Sequence, residues 1–348
     1  MTIPVRNVFL LLCYAWDVLD EADVLDVDTL EHHSTQELMA RVLVNGTRHV
    51  MRRGLEQQYR EVREDLSCLR GRVDLQDSLK RLLLPKAIAH VIHEEMSPDF
   101  LPNQIIKSTV RVLMEVDDLS SPARAELVGL HRKLRGVSEI RVTSNTIARV
   151  QLHGNNRSYR LLMEVCNMVL ESLIPDEEGN GRRFRDFTRD EQKMRILFQK
   201  FVTNFLVREQ SQYRVAAESF TWQEAVRIGG ERIALPRMTT DLVLTAGARR
   251  IVVDTKFTSQ TFRNYYGSSS VRTEHLYQLW AYITNLHVKV GRQGEVHGVL
   301  LYPTISADLD EQWVIQGHHI RVLTVDLRTS FESIRNRLLS IGAVRLGE

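Results

Sequence analysis

Two stretches of the chain hold the residue types that phosphodiester chemistry needs. Pro236-Arg237-Met238-Thr239-Thr240-Asp241 delivers one carboxylate, and Ile251-Val252-Val253-Asp254-Thr255-Lys256 delivers a second with a lysine two residues on. Leu242-Val243-Leu244 follows the first acid, so the two stretches read as adjacent strands joined by a short turn. Side chains alternate faces along a strand, which puts Asp254 and Lys256 on one side. Carboxylates at the ends of strands that want burial cost free energy unless a cation pairs with them. Asp241 and Asp254 can hold one or two Mg²⁺ ions, with the Thr255 carbonyl as a third ligand, to polarise a phosphate and lower the pKa of bound water. Lys256 can orient or deprotonate that water and stabilise developing negative charge. Gln278 and Tyr282, spaced i, i+4 on the next predicted helix, share one face and can hold a phosphate backbone or buttress the acid–lysine strand.

The elements that must position these groups are legible as periodicities. Apolar residues predict a buried helix from Asn7, as its cap, to Trp16, and a second helix over 35–53 closed by Gly54. Further helices are predicted over 103–116 and from Tyr159 onward. Met194, Leu197, Phe198, Phe201, Val202 and Phe205 fall at helical spacing ahead of the acidic strands, and Leu276, Leu279, Trp280, Ile283 and Leu286 fall so after them. Strands are expected over 215–222, 232–235, 299–303 and 319–327, with a closing helix over 331–341. Helix, strands, helix, strands, helix describes an α/β core. The turn around 151–156 sets a boundary between an N-terminal domain, 1–156, and a C-terminal domain, 157–348.

Bulk composition narrows the class. The 348 residues suffice for two cores, and a net charge of only +2 leaves any nucleic-acid contact to local basic patches. Arg182, Arg183 and Arg185 form the densest such cluster, read evenly as a DNA contact or a solvated run. Arg70 and Arg72, and Arg132, Lys133 and Arg135, form two more beside glycines. Three dispersed cysteines, with no zinc spacing, no signal peptide and no membrane-length apolar run, lead us to expect a soluble, cytoplasmic protein.

Asp241, then Asp254-Thr255-Lys256, then Gln278-Leu279-Trp280-Ala281-Tyr282 resembles the PD-(D/E)xK nuclease superfamily, in its branch with a downstream QxxxY helix. Thr240 stands where that family has proline, and Gln199 where it often has a helix glutamate. The resemblance continues through Ile3-Pro4-Val5-Arg6-Asn7, Tyr14-Ala15-Trp16, Arg52-Arg53-Gly54-Leu55, Gly71-Arg72-Val73-Asp74, Asn103-Gln104-Ile105-Ile106-Lys107-Ser108-Thr109 and Leu276-Tyr277-Gln278-Leu279, which look like the McrC family of modification-dependent restriction systems. It implies a restriction-endonuclease-like core, a mixed sheet flanked by helices, preceded by an α+β domain that docks to a partner. It also implies a GTP-hydrolysing, McrB-like AAA+ hexameric ring as that partner, double-stranded DNA with modified cytosine as substrate, Mg²⁺ as cofactor, and self-association through the nuclease domain. The chain has no G-x-x-x-x-G-K-[ST] loop, so GTP would be bound by the partner. The basic groups at 70–72 and 132–135 are then candidates for ring contacts. Two other readings stay open: an adaptor whose nuclease fold only binds DNA, and a stand-alone repair nuclease.

Overall fold

The computed structural model describes residues 3–19, 34–68, 70–152, 157–175, 182–230, 233–258, 262–265, 268–291, 294–303 and 308–343. They group into two units, Met1–Thr35 with Asp186–Glu348, and Gln36–Arg185.

The first unit is built on a six-stranded mixed sheet. Its elements in chain order are α1 (Val5–Ala15), α2 (Glu191–Glu209), β1 (Arg214–Ala216), β2 (Leu242–Ala246), β3 (Arg249–Thr255), α3 (Thr273–Val290), β4 (Glu295–Pro303), β5 (Asp310–Ile315), β6 (His318–Val325) and α4 (Phe331–Leu339). The strand order is β5-β6-β4-β3-β2-β1. The β2–β3 hairpin turns at Gly247, whose φ of 55° suits glycine. From β3 the chain crosses over through α3 to β4, which lies parallel to β3, and β4 in turn is parallel to β6.

Burial explains the layering. Val252 and Leu300 face α3, packing with Leu279, Ile283 and Leu286. By alternation Ile251 and Val253 point to the opposite face. α2 buries Met194, Leu197, Phe198, Phe201 and Phe205, and its N-terminus is fixed by Asp190, whose side chain accepts from the amides of Gln192 and Lys193. α1 packs on α2, with the Tyr14 ring against Phe201, Phe205 and Phe331 and its hydroxyl donating to Glu209 at 3.1 Å. Asn7 is not the helix cap. Pro4 holds that position, and the Asn7 amide reaches into the unit to donate to the carbonyls of Leu327 and Thr329, at 2.8 Å each.

The second unit packs helices Thr35–Arg53, Leu101–Met114, Ser121–Lys133 and Arg157–Ser172 with a three-stranded antiparallel sheet of Gln58–Leu66, Ala89–Ser97 and Arg72–Val73. Asn103 ties this unit together, donating to the carbonyls of Glu56 and Pro98 and accepting from the Tyr159 hydroxyl at 2.7 Å.

These units differ from the expected division at 156. α1 falls with the C-terminal half because its apolar face is completed by α2, and Arg157–Ser172 falls with the N-terminal half because it packs on Leu101–Met114. Residues 153–156 of the expected boundary lie outside the described residues. The strand expected over 232–235 is not formed: Arg232 lies outside the described residues, and 233–235 has no ladder partner among them, with Ile233 87% exposed.

Candidate active site

Asp241 sits immediately ahead of β2, where the hairpin ladder ends at Leu242 opposite Val253. Its carboxylate takes over where the ladder stops: Oδ2 accepts from the Thr255 amide and from the Thr255 hydroxyl, both at 2.8 Å. Thr240, in the place of a proline, is buried and has an anchoring role of its own. Its amide donates to the Glu218 carbonyl and its hydroxyl accepts from the Glu218 amide, each at 3.0 Å. The N–H and C=O of a strand residue point the same way, so the Thr255 carbonyl faces the Asp241 edge.

Asp254 and Lys256 project together on the α3 side, as alternation predicts. The Lys256 Nζ lies 2.8 Å from Asp254 Oδ2 and donates to Gln278 Oε1 at 2.8 Å, and the Gln278 amide donates to the Tyr282 hydroxyl at 2.9 Å. A continuous polar chain thus runs from β3 onto α3 through the four residues. Asp254 is 1% exposed, and although Lys256 is in ionic contact, neither carboxylate oxygen has a well-directed hydrogen bond. Burial is the main cause that pushes its pKa up to about 6. Lys256 opposes the shift and the nearby Asp241 adds to it.

A deeply buried carboxylate beside a second one, with a carbonyl on the same edge, fits a hard divalent cation bound through oxygen. Among the described residues no cluster of three or more His, Cys, Asp or Glu side chains is assembled to hold a metal, so such an ion would rest on Asp241, Asp254 and the Thr255 carbonyl.

In front of these groups opens a cleft of about 720 Å³. One wall is the polar stripe of α2: Glu191, Gln192, Arg195 and Gln199. The other is the start of α3: Arg272, His275 and Gln278. Beyond the core stripe and Gln199, the i, i+4, i+8 spacing of Glu191, Arg195 and Gln199 marks a second, polar face of α2 that the sequence analysis does not pick out. His275 is missed as well, because the partner that gives it meaning, Tyr302, lies 27 residues on.

The other candidates belong to the second unit. Of Arg182, Arg183 and Arg185, the first two lie on the short strand Arg182–Phe184, which pairs with Leu173–Pro175, and Arg185 follows it. Arg70 and Arg72 are exposed on a turn at Gly71, whose φ is 72°. Arg132, Lys133 and Arg135 are exposed at the end of Ser121–Lys133, where positive charge complements the helix dipole. No helix among the described residues is long and apolar enough to cross a membrane.

The family model for the McrBC 5-methylcytosine restriction system component matches residues 6–303. The chain belongs to this family. The type IV methyl-directed restriction enzyme EcoKMcrBC of Escherichia coli K12 is 29% identical over 340 residues, covering 97% of both chains. A solved half-complex from the tetradecameric assembly of Thermococcus gammatolerans McrB AAA+ hexamers with bound McrC is similar in fold. The TM-score is 0.61 at 18% identity, over 97% of this chain and 76% of that one. Within the McrBC family, then, the chain brings Asp241, Asp254, Lys256, Gln278 and Tyr282 into one site.

Proposed function

We propose that this chain is the DNA-cutting subunit of a McrBC system: a Mg²⁺-dependent endonuclease of the PD-(D/E)xK type that works with an AAA+ GTPase ring and stimulates its GTP hydrolysis. The observation that carries this reading is the buried Asp254 carboxylate, held against Lys256 and joined through it to Gln278 and Tyr282, behind an open cleft that Asp241, Thr255, Lys256 and Gln278 line. Mg²⁺, when bound, would neutralise the scissile phosphate and lower the pKa of a water. Asp241, Asp254 and the Thr255 carbonyl would hold it, and Thr255, by donating twice to Asp241, keeps that carboxylate aimed. Lys256, held between Asp254 and Gln278, places an ammonium where negative charge develops on the phosphate. Arg195 and Arg272 on the two walls give the cleft the positive lining that a DNA backbone needs.

The AAA+ partner is inferred from the Thermococcus gammatolerans assembly, in which McrB hexamers carry bound McrC, together with the lack of a phosphate-binding loop in this sequence. Methylcytosine in DNA as the substrate follows from the family description. The test is a cleavage assay on methylated and unmethylated duplexes, with and without the partner GTPase, GTP and Mg²⁺. Cutting is expected only with the partner, GTP, Mg²⁺ and methylated DNA together. GTP-independent cutting by the chain alone would replace this reading with that of a stand-alone nuclease.

A further inference from the structure

The cleft wall holds a histidine that the proposed reaction has not used. His275 stands one turn before Gln278 on α3, so the two side chains share the cleft-facing side of the helix. Its Nδ1 lies 2.9 Å from the hydroxyl of Tyr302, which is fully buried at the end of β4. Burial and the nearby Asp254 carboxylate hold the Tyr302 phenol well above its ordinary pKa, so it keeps its proton and acts as a donor. Of the two ring nitrogens of His275, Nδ1 is the one within hydrogen-bond reach of that hydroxyl, so a proton donated by Tyr302 to the ring is received there. An imidazole that accepts at Nδ1 carries its hydrogen on Nε2. Among the described residues nothing partners Nε2. The ring also stays neutral, because burial and then the Lys256 charge pull its pKa down to about 4.

We propose that His275 is a phosphate-binding residue of the DNA cleft: its Nε2–H, fixed in that tautomer by the buried Tyr302 hydroxyl, donates a hydrogen bond to a backbone phosphate oxygen of the strand to be cut. The inference rests on the nuclease reading of the site and names a further substrate contact within it. A fixed neutral donor suits this place. The opposite tautomer would turn a lone pair toward the phosphate, and a protonated ring would stand as a second cation near Lys256. Tyr302 is then a positioning residue, acting through His275 without reaching the cleft.

The experiment uses the full chain with its AAA+ partner, GTP, Mg²⁺ and methylated duplex. His275→Ala is expected to slow single-turnover cleavage by about 10-fold to 100-fold, the range for losing one hydrogen bond to a charged group. His275→Gln, which keeps an N–H donor, should recover most of the rate, and GTPase stimulation should stay at the wild-type level in both. Tyr302→Phe should slow cleavage in the wild-type background and have no further effect on His275→Ala. Nitrogen-15 NMR of histidine-labelled chain should show His275 as the Nε2–H tautomer, and as a tautomeric mixture in Tyr302→Phe. Full-rate cleavage by His275→Ala, an additive Tyr302→Phe effect, or an Nδ1–H tautomer would each overturn the proposal. A parallel arm measures duplex binding by the Asp254→Ala chain, with and without His275→Ala. If the wild-type chain never cuts, the nuclease reading fails alone. The contact to phosphate then stands if His275→Ala weakens that binding, and falls if it does not.

Discussion

A carboxylate buried as deeply as that of Asp254 is held in its charged form against the preference of its surroundings. Its pKa in the folded chain is raised from 3.8 to about 6, so the folded state binds the proton more tightly than the unfolded state does. Stability is therefore lost as pH rises through that window, by on the order of 3 kcal/mol once the group is fully ionised. Asp254→Asn removes the charge and keeps the shape. In metal-free buffer at pH 8 it should raise the melting temperature by a few degrees, with the advantage vanishing below about pH 4. Calorimetry in EDTA at several pH values checks this, and a lower melting temperature for Asp254→Asn at pH 8 would contradict it. Thr255→Val tests the second acid. It removes one of the two donors to Asp241 Oδ2, so the Mg²⁺ concentration for half-maximal cleavage should rise several-fold while the melting temperature moves little. At this scale the sequence was readable where chemistry and spacing coincide. Asp254 and Lys256 share a face because strands alternate, and Gln278 and Tyr282 do because helices repeat. His275 was unreadable, since its role depends on a tyrosine from another element.

At the scale of elements, the site depends on how closely α3 lies on the sheet, because α3 carries His275, Gln278 and Tyr282 to the groups on β3. Gly298 sets that approach. It pairs with Val252 across the β3–β4 ladder, and a Cβ there would come within 2.4 Å of Ile283 and 2.9 Å of Leu279 on α3. Gly298→Val should push the helix outward and cost about 1–3 kcal/mol. Cleavage should fall by more than the fraction unfolded explains, since Gln278 would draw away from Lys256. Denaturant unfolding beside single-turnover kinetics separates the two, and unchanged cleavage in a folded Gly298→Val chain would show that the spacing does not matter. The helices and most strands were legible from periodicity. β1, Arg214–Ala216, falls at the start of the strand expected over 215–222, whereas β5, Asp310–Ile315, exposes most of its residues and does not offer the apolar alternation that marks a strand. The 233–235 stretch failed in the opposite sense: it is apolar in sequence but has no ladder partner among the described residues.

For the whole molecule, the chain's first helix belongs to the unit that holds the candidate site. α1 buries Val8, Phe9, Leu11, Leu12 and Tyr14 and packs on α2 of the same unit. A chain trimmed to 157–348 is expected to lose the cooperative melting transition of the nuclease unit, and adding back 1–19 as a peptide should restore part of it. Full stability of the trimmed chain would contradict the division into units. No sequence pattern joins Asn7 to Leu327 or Tyr14 to Phe331, because helix periodicity shows that a face is apolar and not what covers it. Charge reversal of Arg70 and Arg72 on the second unit should lower GTPase stimulation of the ring and leave DNA binding by this chain unchanged, which titration of partner GTPase rate against chain concentration would show.

The central claim is that Asp241, Asp254 and Lys256 cut DNA while separate surfaces of the chain engage the ring. Asp254→Ala, assayed in one reaction for methylated-duplex cleavage and for partner GTP turnover, tests it most directly. Cleavage should fall by at least about 1,000-fold, as expected when a metal-binding carboxylate is lost, with GTP turnover stimulated as by the wild-type chain. Cleavage near the wild-type rate would contradict the claim.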